Sequence, residues 1–188
     1  CNPIKSTKMK KKLIALISFL CYIICWVQAA DEHYYFKNLS IQDGLSQTTV
    51  NAIIQDKKGF MWFGTKGGLN RYDGMLFRNF KHDMTDNHSL GNNFVTCLYQ
   101  DNNGNIWVGT DAGVYIYYSD QEIFIPFDRL SRENTKIERT VSAISGDKQG
   151  RVWIAVETQG LFCYEPQKDR LYNYTLHEVL GQCTEHRF

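Results

Sequence analysis

The chain repeats itself three times, and that repetition restricts its fold more tightly than any other feature. The first copy reads VNAIIQDKKGFMWFGTKGGLNRYDG from Val50 to Gly74. The second reads VTCLYQDNNGNIWVGTDAGVYIYY from Val95 to Tyr118, and the third VSAISGDKQGRVWIAVETQGLFCYE from Val141 to Glu165. Asp56, Asp101 and Asp147 correspond, as do Gly59, Gly104 and Gly150, and then Trp62, Trp107 and Trp153. Gly64 and Gly109 follow the first two tryptophans at equal distance. The tryptophans stand 45 and 46 residues apart. A period of this size means either stacked helix pairs or four-stranded blades.

Turn density decides between them. Val50 to Gln55 is a short β-branched run, and Asp56-Lys57-Lys58-Gly59 is a hairpin turn, with the aspartate as acceptor and the glycine supplying positive φ. Phe60 to Thr65 is almost wholly apolar, which predicts a strand buried on both faces. Leu69 to Tyr72 and Met75 to Phe80 follow around the hairpin dipeptide Asp73-Gly74. The second copy continues into Ile123 to Phe127 and the third into Leu171 to Tyr174. No stretch in the copies is long enough between breakers for a helical repeat. The fold class predicted is all-β: a partial β-propeller of about three four-stranded antiparallel blades, at approximately 46–82, 91–128 and 137–176. The middle strands should lie between neighbouring blades, with each tryptophan filling the wedge.

Propellers close with roughly 4–8 blades, so a chain holding three is expected to be part of a longer protein. Tyr34, Tyr35, Phe36, Lys37, Asn38 and Leu39 have the character of an outer strand, and residues 33–39 are read as completing a closing blade absent from this chain. The first thirty residues differ from the rest. Lys5, Lys8, Lys10, Lys11 and Lys12 precede the apolar run Leu13 to Val27, and the small residues Ala29 and Ala30 precede Asp31. That order is a secretory signal peptide with its helical core, here 1–30; Met9 is the natural start, which makes 1–8 excess. The run is shorter than the about 20 residues a membrane span needs. A bulky residue, Leu20 or Ile24, precedes Cys21 and Cys25, which argues against lipid attachment.

The 21 basic and 20 acidic side chains nearly balance. Setting aside the first thirty residues removes five lysines and no acid, so the remainder is mildly acidic and no direct nucleic-acid contact is expected. The cysteines left, Cys97, Cys163 and Cys183, are odd in number, which is no disulfide framework. Cys97 and Cys163 sit in apolar runs as small hydrophobes.

The segment FKNLSIQDGLSQTTVNAIIQDKKGFMWFGTKGGLNRYDG, then Ser89-Leu90 and DNNGNIWVGTDAGV, resembles the start of the sensor region of Bacteroides-type hybrid two-component regulators, whose units are called two-component regulator propeller repeats. The resemblance runs from Phe36 to about Tyr174. Asp43-Gly44-Leu45-Ser46, Gly-x-x-Trp-x-Gly-Thr and Gly-Leu-x-Arg-Tyr-Asp-Gly carry it as a set. The third copy departs, with Ala155 and Val156 in place of Gly-Thr and one residue inserted before Gly160. The resemblance implies an exported, periplasmic sensor with an oligosaccharide ligand. It also implies a parent anchored in the inner membrane, with further blades, a histidine kinase, receiver and DNA-binding domains outside this chain, working as a homodimer. A secreted propeller lectin or glycan-active enzyme fragment is the alternative, and a fragment with no function of its own is a third.

Residue chemistry adds little to this. Asp101-Asn102-Asn103-Gly104-Asn105 has calcium-ligand types, but its glycine is fourth and no glutamate closes a twelve-residue loop. His82, Asp83, Asp86, His88 and Ser89 share a polar linker without nucleophile-motif or metal-pair spacing. No catalytic residue, metal or cofactor is expected. Arg71 and Tyr72, near a blade edge, are the candidate ligand contacts, since arginine and aromatic rings suit sugar acids and sugar rings. Packing for Tyr72 and an acidic partner for Arg71 is the preferred reading, and Tyr115, Tyr117 and Tyr118 are judged alike.

Overall fold

Each repeat folds into its own four-stranded antiparallel sheet. The computed structural model describes residues 14, 16–19, 35–130 and 136–174. Blade one pairs β1 (Val50–Gln55), β2 (Met61–Thr65), β3 (Gly68–Tyr72) and β4 (Phe77–Phe80) in chain order. Blade two repeats this with β5 (Val95–Gln100), β6 (Ile106–Thr110), β7 (Gly113–Tyr118) and β8 (Ile123–Pro126). Blade three follows with β9 (Val141–Gly146), β10 (Val152–Val156), β11 (Gly160–Glu165) and β12 (Arg170–Tyr174). The protein is therefore all-β, with three propeller blades.

The Asp-x-x-Gly-x-x-Trp pattern is a single hydrogen-bonded clasp. Oδ1 of Asp56 accepts the backbone N–H groups of Lys58 and Phe60, both at 2.9 Å, and Oδ2 accepts the indole N–H of Trp62 at 2.7 Å. Gly59, at φ 90°, closes the turn with its N–H on the Asp56 carbonyl. Asp101 and Asp147 do the same, with Trp107 and Trp153 each at 3.0 Å. The clasp draws Phe60 into the turn, so β2 begins one residue later than the apolar run alone implies. Asp73 likewise caps Met75 and Leu76, which removes both from β4.

Each completed seam between blades has its own core. Trp62, Leu69, Val95, Leu98, Val108 and Tyr117 bury the first; Trp107, Ile116, Val141, Ile144, Ile154 and Phe162 bury the second. The tryptophan meets a tyrosine of the next blade: Trp62 lies 5.1 Å from Tyr117, and Trp107 lies 6.0 Å from Tyr164. The inner strands are also linked by side chains. Asn51 Nδ2 donates to the Val95 carbonyl at 2.8 Å, and Thr96 Oγ1 to the Val141 carbonyl at 2.6 Å. A net contribution of about 0.5–1.5 kcal/mol from each such bond is small beside the buried apolar area, but the bonds fix which residue faces which.

Among the described residues only blade two, between the two seams, has a middle strand buried throughout on both faces. Ile106, Val108, Val152 and Ile154 are fully buried, whereas Met61 and Phe63 of blade one are half-exposed. Ile53 is 56% exposed although its counterparts Leu98 and Ile144 are each 8%. On blade three the half-exposed residues are Trp153 and Ala155. The expectation that every tryptophan fills a wedge therefore holds for Trp62 and Trp107 and is corrected for Trp153. Its wedge has one wall, because no described strand stands beyond it.

Blade three also shows why two sequence departures travel together. Thr65 Oγ1 accepts the N–H of Gly67 and donates to the Gly68 carbonyl, and Thr110 repeats this with Ala112 and Gly113. Both threonines are fully buried. Val156 has no hydroxyl. Its turn is one residue longer, passes through Thr158 at φ 62°, and closes through the N–H of Gln159 on the Val156 carbonyl.

Residues up to Asn38 form a separate unit from those after it. Ile14 and residues 16–19 are helical, and Ile14, Leu16, Ile17 and Phe19 are exposed. No helix among the described residues is long and apolar enough to cross a membrane. The rest of the expected signal segment lies outside the described residues. Residues 35–39 carry no strand, and Tyr35 and Phe36 are 92% and 97% exposed. Residues 35–39 of the outer strand expected at 33–39 are thus not in strand conformation.

Candidate ligand-binding face

The two ends of the blades differ in what their polar groups are doing. One end carries the aspartate clasps and the β3–β4, β7–β8 and β11–β12 turns. There Lys57 spans the seam, its Nζ donating to the carbonyl of Asn102 at 2.8 Å. Glu122, in the β7–β8 turn at φ 56°, receives Arg78 at 2.7 Å and Arg71 at 3.3 Å from blade one. Hydrogen bonding from Arg78, with the charges of both arginines, lowers the Glu122 pKa.

That cluster locates the two sequence-predicted contacts. Arg71 pairs with an acid and lies over the rings of Phe60 at 4.7 Å and Trp62 at 5.8 Å. Tyr72 is buried, its hydroxyl donating to the Gly74 carbonyl at 2.6 Å and its ring 4.7 Å from Phe77 of the same blade. The structure places Arg71 on the seam and Tyr72 within blade one. Tyr117 is fully buried in the first seam, and Tyr118 packs on the second.

The opposite end holds the β2–β3, β6–β7 and β10–β11 turns and the linkers that enter each blade. The Asp43-Gly44-Leu45-Ser46 stretch docks the first linker. Asp43 accepts the backbone N–H and hydroxyl of Ser40, Leu45 is buried, and the Ser46 N–H donates to Asn70 Oδ1 at 2.8 Å. Its hydroxyl lies 2.9 Å from Thr65 Oγ1. The second linker is tied by its own residues. His82 Nδ1 lies 3.2 Å from the Leu90 carbonyl, Asp83 caps Thr85, and Ser89 Oγ donates to the Asp83 carbonyl at 3.0 Å. These contacts hold a loop and align no nucleophile with a base.

On this end three oxygens are buried without a hydrogen-bond donor among the described residues: Gln47 Oε1, Asp111 Oδ1 and Gln159 Oε1. Each lies on a turn or linker at the entrance of a different blade. Beside Asp111 the ring of Tyr115 reaches the backbone of Gly91 so closely that a Cβ there would overlap it. Burial, and then Asp128 and Asp111, push the Tyr115 pKa up, so its hydroxyl stays protonated as a donor. A cleft of about 240 Å³ opens next to it, lined by Tyr115, Phe127, Arg129 and Glu138 among others. Lys66, with its Nζ 5.0 Å from the Phe94 ring, Asp111 and Glu157 occupy the same turn position in the three blades. Acceptors, a tyrosine donor and side chains of both charges suit a polyhydroxylated ligand better than an apolar one. Among the described residues no group of three or more His, Cys, Asp or Glu could hold a metal ion.

Gln47, Asp111 and Gln159 escaped the reading of the sequence, which followed the constant positions of the repeat. For Asp111 the signal was in an inconstant position: directly after β2, β6 and β10 the copies change from lysine to aspartate to glutamate.

Comparison with known proteins agrees with this architecture. The family profile described as two component regulator propeller matches residues 44–67 and 89–112, in blades one and two. Histidine kinase P4 of Formosa agariphila is 38% identical over 77 residues, covering 41% of this chain and 5% of that protein. Among solved structures, the extracellular domain of the hybrid two component system BT3049 from B. thetaiotaomicron aligns at a TM-score of 0.70 with 27% identity, covering 79% of this chain and 21% of that one. That of BT4673 from the same organism aligns at 0.59 with 22% identity, and a virginiamycin B lyase from Staphylococcus aureus at 0.53 with 14%. These last two share the fold. The chain thus spans about a fifth of the length of the solved domains and about a twentieth of the curated relative.

Proposed function

Taking as premise that blades one and two are two-component regulator propeller repeats, we propose that the chain is a sensor segment of a hybrid two-component regulator, exported to the periplasm. Its parent is anchored in the inner membrane and carries a histidine kinase outside this chain. The ligand is a glycan-derived oligosaccharide, received on the linker end of the blades. The observation that carries the ligand reading is the set of oxygens of Gln47, Asp111 and Gln159 that are buried without a donor among the described residues, with Tyr115 beside Asp111. Sugar hydroxyls donate to such acceptors, and a polyol spanning adjacent blades would bias their relative placement. The segment itself does no chemistry: the ligand shifts an equilibrium between two arrangements of a homodimeric receptor, by as much as its affinities for the two differ.

The test uses the full natural protein, titrated calorimetrically with a panel of oligosaccharides while kinase autophosphorylation is followed. Saturable binding by one glycan class that changes autophosphorylation is expected, with at least tenfold weaker binding for Asp111→Ala at unchanged thermal stability. No binding across the panel, or binding indifferent to Asp111, would remove the linker-end reading.

A further inference from the structure

Both complete seams are closed at the same point by a glycine. A Cβ on Gly64 would stand 2.5 Å from Cγ1 and 3.2 Å from Cβ of Val95 in blade two. A Cβ on Gly109 would overlap Sγ of Cys97 in its own blade and stand 2.9 Å from Cγ1 and 3.1 Å from Cβ of Val141 in blade three. Contacts so short force the neighbour to move. These valines cannot move freely: each is fully buried, each is stiff about χ1, and their carbonyls are held by Asn51 and Thr96.

Blade three puts Ala155 at this point. It pairs with Ala143 in register, as Gly64 pairs with Ala52 and Gly109 with Cys97. It shares its face with Trp153, whose clasp to Asp147 is complete and whose ring stacks on Tyr174 at 5.7 Å. Ser142, the counterpart of Asn51 and Thr96, is exposed beside it. The face therefore continues the two established seams in every element but one, and that one carries an extra methyl group.

We infer that this face of blade three docks a further blade of the same repeat, and that Ala155 selects one whose first inner-strand residue is glycine, alanine or serine instead of valine. Ser142 donates to the carbonyl of that residue, as Asn51 and Thr96 do in the inner seams. Blade one of a second copy is refused by the same methyl group, because it begins with Val50. The selection makes the third seam a marked position in an otherwise uniform array, so that blades cannot be joined there out of order. The inference rests on the reading that the propeller continues in the natural protein.

The test uses that full protein. At the place of Val50, Val95 and Val141, its next repeat should carry a residue smaller than valine, and Ala155→Gly should leave the Tm unchanged or lower it. A valine or larger residue there, or a Tm raised by Ala155→Gly, overturns the selection. In the first seam, Gly64→Ala should lower the Tm measurably, as overpacking of a tight core does. The same change made on top of Val95→Ala should cost far less. An unaltered Tm for Gly64→Ala overturns the steric rule itself. Absence of any following repeat would instead remove the sensor reading, an outcome read from the sequence and separate from the Tm values.

Discussion

The indole N–H of Trp62 donates to Oδ2 of Asp56 at 2.7 Å, while Oδ1 of the same carboxylate holds the turn between them. One side chain thereby fixes both the bend of the hairpin and the orientation of the ring that fills the seam.

Removing the carboxylate should cost more than removing the indole donor. Asp101→Ala strips two backbone N–H groups and Trp107 of a charged acceptor, a loss of about 2–4 kcal/mol. Trp107→Phe, which keeps most of the ring, should cost about 1–3 kcal/mol. The two changes share a bond, so their costs should fall short of adding by about 1 kcal/mol in urea unfolding of the natural protein. Strict additivity would mean that ring and turn are independent.

Acid should loosen blade three. The bonds from Trp153 and then Arg151 hold the Asp147 carboxyl down from 3.8 to about 2. A group depressed by folding stabilises the folded state above its unfolded pKa and loses that effect as pH falls through the folded one. The contribution of Asp147 is therefore complete above about pH 4 and fades toward pH 2. Urea midpoints measured from pH 6 to pH 2 should fall over that window, and Asp147→Asn should flatten the fall while lowering the plateau. An unchanged acid limb in the variant would show that the carboxylate is not depressed.

Thr65→Val should destabilise blade one by about 1–2 kcal/mol, since in a dry site it leaves the N–H of Gly67 without its acceptor and the carbonyl of Gly68 with Asn70 Nδ2 as its remaining side-chain donor. Lengthening that turn by one residue, after the pattern of Glu157 to Gly160, should recover much of the loss. Chemical denaturation of the two variants checks this, and a Thr65→Val variant as stable as the parent would contradict it.

How far the sequence could be read follows from where each property is stored. The Asp, Gly and Trp positions were legible because clasp and turn are local, and local geometry demands fixed residue types. Three sheets and their order followed from the same signals. Which residues line the two half-covered faces was not legible: Met61, Phe63 and Trp153 are as apolar as their buried counterparts, and exposure depends on what stands beside a blade. Arg71 stood out as a candidate contact because its chemistry is visible in sequence, and the acidic partner preferred for it could not be named there, because Glu122 lies in another blade. The acceptors at the linker end were hidden for the opposite reason. Gln47 and Gln159 are ordinary loop residues until the fold leaves their oxygens without a donor.

The cysteines offer a check on packing without a ligand. Cys97 and Cys163 are free thiols, Cys163 is 1% exposed, and burial pushes the pKa of both up. Neither should react with a disulfide reagent in the folded protein, and both should do so on addition of urea. Rapid labelling of Cys163 under native conditions would show that blade three opens readily.

The clasp spans only six residues, so every repeat brings its most directional contact with it. A hairpin can therefore set as soon as its own residues are free to meet, before any neighbour exists. Duplicating one such stretch delivers a unit that is already half folded by its own means, and deleting one removes no other unit's clasp. Arrays built this way can change their number of copies within a lineage, and what then needs adjusting is the fit at the joints, where a single methyl group can record which neighbour belongs.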